Sequence, residues 1–133
     1  MTILWWLCVT ANPVFAHHST AFYTDELVEI AGELVGVDWR NPHTVLSVKS
    51  IDNQGTETLW RIEGNSIFNY LRKGVTRELF RVNDQVKVFG FRSSRDAHAL
   101  AGANMLLPGR REVLLWEGQE ARFSDEAIVV AGA

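Results

Sequence analysis

The sequence is short of the residues that carry covalent bracing or catalysis. Among 133 residues there is one cysteine and there are four histidines. The cysteine, Cys8, lies in an apolar N-terminal stretch, and Trp5, Trp6 and Leu7 before it lack the small residue of a lipoprotein anchor. A chain that loses this stretch has no disulfide, no thiolate metal site and no cysteine nucleophile, so packing alone must hold it. Positive charge is not in excess either: 13 Lys and Arg stand against 16 Asp and Glu, a net charge of −3 with both signs interspersed. A phosphate-backbone binder needs a concentrated basic face, so no nucleic-acid partner is expected. Also missing are a phosphate-binding glycine loop, an H-E-x-x-H pair, a G-x-S-x-G elbow, a calcium loop and a marked carboxylate pair. The chain is not expected to be an enzyme.

With 47% apolar and 22% charged residues, the composition is that of a globular chain, and its length suits a single core. Residues 3–11 form an apolar run, Pro13 breaks it, and Val14 and Ala16 are the small residues of a signal-peptidase site. Residues 1–16 are therefore expected to be a cleaved export signal, although only the α-amine of Met1 supplies positive charge ahead of the run. The run is far shorter than the roughly 20 apolar residues that span a bilayer. The expected location is periplasmic or secreted, with no stable membrane insertion after cleavage.

Beyond the signal, residues 17–25 read as an extended lead-in. From Val28 the apolar positions alternate, and their parity shifts after Gly32 from Val28, Ile30 and Leu34 to Val35, Val37 and Trp39. A period of two with a mid-strand glycine and a parity change predicts a bent or bulged first strand. Asn41-Pro42 forces a turn. Residues 44–51 form a β-branched second strand, and residues 52–55 (Asp-Asn-Gln-Gly) a turn. Residues 56–63 form a third strand, with Thr58, Trp60 and Ile62 on one face and Leu59, Arg61 and Glu63 on the other. Ser66 offers an N-cap to a short helix, with Ile67, Tyr70 and Leu71 on one face, Arg72 and Lys73 in the last turn and Gly74 as the stop. A turn-like segment at 76–80 leads to a fourth strand at 85–92. A polar loop is expected at 93–102, then short strands at 104–107 and 112–116 around Pro108-Gly109-Arg110. The fold expected is all-β with one short helix, a small five- to six-stranded barrel of the oligonucleotide/oligosaccharide-binding (OB-like) order β-β-β-α-β-β. That domain spans residues 17–116; residues 117–133 are an acidic, then apolar, C-terminal tail with a mobile end.

Two sets of residues point to binding. Cleavage after Ala16 would leave His17 first, its α-amine and imidazole Nδ1 able to close a chelate ring, with a further histidine completing a planar nitrogen set that suits Cu(II). Cleavage one residue earlier would put His18 third in the chain, an arrangement that also takes Cu(II) or Ni(II). His43 at the corner is the candidate third nitrogen or, equally, a residue that satisfies backbone groups; His98 in its polar loop is a further candidate donor. The second set is a ligand-binding face of Trp39, Asn41, Trp60, Arg61 and Glu63, where aromatic rings and an arginine could stack a ligand. Against it stands the plainer expectation that strand tryptophans fill the core, Asn41 caps the turn and Pro42 stiffens it.

Ala16-His17-His18-Ser19, Trp39-x-Asn41-Pro42-His43, Trp60-x-x-Glu63 and Leu71-Arg72-x-Gly74-Val75-Thr76 follow one another along the chain, and Val86-x-Val88-x-Gly90 comes after an Asn83-Asp84 turn. In these marks the chain resembles small exported proteobacterial proteins catalogued as an uncharacterised domain of unknown function. That family usually introduces its fourth strand with Gly-Asp, where Asn83-Asp84 stands here. The resemblance implies export and a small β-domain, and brings no activity. The expected function is that of an exported binding protein, a copper-binding accessory protein built on His17. The alternative is a non-metal cell-envelope module for a peptide, saccharide or partner protein.

Overall fold

The computed structural model describes residues 19–123 and 127–133. A short 3-10 turn, Ser19–Phe22, leads into β1 (Tyr23–Asp38), followed by β2 (Val45–Ile51), β3 (Glu57–Glu63), helix α1 (Ile67–Arg72), a 3-10 turn at Arg77–Leu79, β4 (Gln85–Ser93), β5 (Ala99–Leu107), β6 (Arg111–Leu114) and β7 (Ile128–Ala131). The sheet runs in the order β3-β2-β1-β4-β5-β6-β7, and a parallel pairing of β3 with β5 joins the first five strands into a ring. The ring order 1-2-3-5-4, with the helix between the third and fourth strands, is the OB-like order expected from the sequence.

The length of β1 lets one strand serve two partners. Its first part pairs with β4, from Tyr23↔Ser93 to Glu33↔Gln85, and its second with β2, from Glu33↔Lys49 to Asp38↔Val45. The strand changes partner at Gly32 and Glu33, and a bulge follows between Leu34 and Gly36, where the apolar parity shifts. At Gly32 the carbonyl of Lys49 occupies the place of a Cβ, so no other residue fits without moving backbone. The inward positions Ile30, Leu34, Leu46, Val48, Ile62, Val86, Val88, Leu100 and Met105 form the buried core.

Helix α1 forms where expected. Ser66 Oγ accepts from the Asn69 N–H at 3.3 Å, and Gly74 ends the segment at φ 71°. Tyr70 turns inward, stacks on Trp39 at 5.6 Å, and Trp39 also meets Phe80 at 6.0 Å. The Asn83 backbone is left-handed, φ 78°, a conformation that suits glycine best and that asparagine tolerates. That accounts for asparagine standing where the resembling family has glycine.

Two expectations are corrected. The polar loop predicted at 93–102 is shorter, because β5 already begins at Ala99; Ala99 and Leu100 are buried strand residues whose pairing with β3 is invisible in local composition. The C-terminal end predicted to be mobile contains β7, which pairs in parallel with β6 (Arg111↔Ile128, Glu112↔Val129). Its approach is held by Glu112, fully buried, which accepts from Asn104 Nδ2 at 2.7 Å and from the Arg122 and Phe123 N–H groups at 2.8 and 3.2 Å. Phe123 then packs on Phe89 with ring centroids 5.0 Å apart.

Candidate functional site

The corner between β1 and β2 is built by contacts at both ends. Trp39 is turned into the core, as above. The Asn41–Pro42 peptide is cis, and Asn41 Oδ1 accepts from the Ile67 N–H at 3.1 Å, satisfying a free donor at the start of α1. Buried Thr44 donates through both its N–H and its hydroxyl to the Asn65 carbonyl, each at 3.1 Å. His43, between these anchors, lines a cleft of about 370 Å³ with Asp38, Arg40, Asn41, Pro42, Arg61 and Glu63. Its ring lies against Trp116, centroids 5.9 Å apart and planes 27° from parallel. In rings of this strand order, the face of strands two and three with the loop between strands one and two is the usual binding surface. The cleft sits there.

Glu63 is the electrostatic centre of the cleft. It is only 8% exposed, and its Oε2 accepts from the Tyr23 hydroxyl at 2.9 Å and from Arg61 Nη1 at 3.2 Å. Arg40 and Asp38 pair at the rim at 2.8 Å. The Tyr23 hydroxyl is pushed up to about 12, first by burial and then by the Glu63 carboxylate, which disfavours a second negative charge beside it. Burial also raises Tyr70 to about 12. These are the two tyrosines of the chain, so spectrophotometric titration is expected to show no phenolate step near pH 10 and both steps near 12. An unfolded chain ionises its tyrosines near 10 while the folded one holds the protons. Their contribution to stability is therefore complete below pH 10 and is lost as pH rises towards 12. A full phenolate step at pH 10 in the folded protein would contradict both burials.

The expected site residues divide. Arg61 and Glu63 point outward from β3 and meet His43 in the cleft. Trp60, one residue away on the alternating strand, points to the other side: it is half-buried against the core, with Nε1 donating to Ser50 Oγ at 3.0 Å. Asn41 lines the cleft with Arg61 and Glu63 while its Oδ1 holds the helix start. Trp39 is engaged with Tyr70, so three of the five residues of the expected face share the cleft and the two tryptophans do not. His98 sits in the β4–β5 loop, its N–H on Asp96 Oδ1 at 2.9 Å and its ring edge-on to Trp60 at 5.4 Å, and it does not line the His43 cleft. His17 and His18 lie outside the described residues. Among the described residues, no group of three or more His, Cys, Asp or Glu is placed to hold a metal ion.

Sequence reasoning passed over Tyr23 and Trp116. Tyr23 lies in the lead-in and reaches Glu63 across 40 positions of chain; Trp116 closes a predicted strand and meets His43 from the far end of the domain. No local period signals either contact.

The corner, the β3 end and the β1 glycine all fall inside a stretch that matches one family. Residues 6–102 match the family of unknown function DUF6152. The chain belongs to it. No curated protein matches the chain. The DUF6152 match takes in His17 and every residue that lines the cleft, leaves out Trp116, which stacks on His43, and ends at Gly102 within β5. The Asn104–Glu112–Arg122 network that holds the C-terminal segment lies beyond it.

Proposed function

We propose that this chain is an exported binding module that takes Cu(II) at the corner cleft. His17 would supply its α-amine and imidazole once the signal is removed after Ala16, and His43 the third nitrogen. The observation that carries this reading is the hydrogen bond from Tyr23 to Glu63, because it ties the strand that follows the N-terminal arm to the wall of the cleft holding His43. Tyr23 is six positions after His17, and with Ser19–Phe22 in a 3-10 turn of about 2 Å rise per residue the arm spans on the order of 10 Å, which keeps the N-terminus near the cleft wall that Tyr23 bonds. Three nitrogen donors in a plane suit Cu(II) better than harder cations. His98, held against Trp60, is not part of this set; His18 is the reserve donor.

The test is a Cu(II) titration of the protein recovered after export, followed by electron paramagnetic resonance, with its N-terminal residue sequenced. His17→Ala and His43→Ala are each expected to weaken Cu(II) binding at least ~10-fold, about 1.4 kcal/mol. A first residue at Ser19 or later, or unchanged affinity in both variants, would end the reading.

The non-metal module remains the second reading, favoured by one observation. Ile51 and Leu59 are 60% and 62% exposed beside Arg61 on the outer face of β2 and β3. Under it, a peptide or saccharide ligand would bind metal-free protein, read by calorimetry, and Leu59→Ser would abolish the binding.

A further inference from the structure

A second cavity, of about 230 Å³, also reaches Trp116 and contains no histidine in its lining. It is walled by Tyr23, Phe91 and Trp116, with Ala101 and Gly102 from β5 between them and Asp25 among its lining residues. Three aromatic residues of three separate elements converge here: the start of β1, the outer side of β4 and the segment after β6. Asp25 is the one charged residue of the lining, and it is exposed. The nearby arginines are engaged elsewhere: Arg61 on Glu63, Arg92 on Glu26 and the Ala97 carbonyl, and Arg95 over the Phe22 ring. The Tyr23 hydroxyl is itself spent on Glu63, which leaves its ring as the contribution to the wall.

Aromatic rings together with a carboxylate and no competing cation are the surroundings that bind an alkylated ammonium, whose positive charge is spread over methyl groups and cheaply desolvated. A cavity near 150 Å³ holds benzene, so about 230 Å³ accommodates a headgroup of trimethylammonium size and not a drug-sized ligand. We propose that the cavity between Tyr23, Phe91 and Trp116 is a binding site for a small soluble organic cation bearing a quaternary ammonium group, with Asp25 as its counter-charge. This site is separate from the metal reading: it uses none of the histidines and stands or falls without copper.

The test is a titration of metal-free protein with choline and with tetramethylammonium, read by Trp116 fluorescence and by calorimetry, against 3,3-dimethylbutan-1-ol, the neutral isostere of choline. Choline and tetramethylammonium are expected to bind, with the neutral alcohol roughly tenfold weaker or more, because shape is kept and only the cation–ring attraction is lost. Trp116→Ala is expected to remove binding, and Trp116→Phe to retain part of it. Asp25→Asn, an exposed substitution that leaves the fold intact, is expected to weaken binding severalfold, with the wild-type affinity falling as salt rises. Equal binding of the neutral alcohol would reduce the cavity to an apolar hole and overturn the proposal. So would unchanged binding in both Trp116→Ala and Asp25→Asn, or binding seen only with phosphatidylcholine vesicles and not with free choline.

Discussion

Gly32→Ala is expected to cost ~3 kcal/mol or more of folding stability, enough to leave a substantial fraction of a marginally stable domain unfolded. The new Cβ would fall on the Lys49 carbonyl oxygen and lie 2.8 Å from its carbon and 3.0 Å from Ser50 Cα. These are backbone atoms of the neighbouring strand, so no rotamer change relieves the clash. β1 and β2 would have to separate where β1 passes from one partner to the other, and the ring would open at that point. Gly36→Ala is the matched control. There the Cβ meets only the Ser47 side chain, at 3.3 and 3.4 Å, and the cost is expected to stay below about 1 kcal/mol, offset in part by the lower chain entropy of alanine. Urea unfolding of the two variants checks this, and equal midpoints for both would contradict the close approach at Gly32.

Glu112→Ala is expected to cost ~3–5 kcal/mol, because it strips a fully buried acceptor from three donors at once. Asn104 Nδ2 would keep its bond to the Glu120 carbonyl at 2.8 Å, but the N–H groups of Arg122 and Phe123 lose their acceptors. The loss should show locally before it shows globally. Hydrogen exchange at Arg122 and Phe123 is expected to accelerate, and trypsin to cut after Arg122, at denaturant concentrations where the ring is still intact. Glu112→Gln keeps the shape and one acceptor oxygen, so about 1–3 kcal/mol is expected. If Glu112→Ala unfolds with the wild-type midpoint and leaves both amides protected, the carboxylate is not what holds this segment.

Much of the fold could be read locally. Alternating apolar residues marked β1 to β4, the Gly32 parity change marked the bend, and Ser66 with Gly74 bracketed the helix, because period, caps and turn residues act over a few positions. The start of β5 and the whole of β7 could not be read that way. Their evidence lies in partners: Ala99 pairs with Arg61, and Ile128 with Arg111. The site divides along the same line. The Trp39-Arg40-Asn41-Pro42-His43 corner was legible as a corner, and the alternation of β3 already put Trp60 opposite Arg61 and Glu63. That Tyr23 would reach Glu63, or Trp116 lie on His43, was not.

By itself, then, the sequence determined an all-β domain of five to six strands with one inserted helix, its bend at Gly32 and a histidine-bearing corner after the first strand, through patterns each complete within a dozen residues. Only the tertiary structure decided what faces that corner. The ring closes by β3 meeting β5, and closure brings the first strand, the third strand and the segment after β6 to one place. Side chains that meet through ring closure share no local period, so His43, Glu63, Tyr23 and Trp116 become neighbours only once the chain has folded.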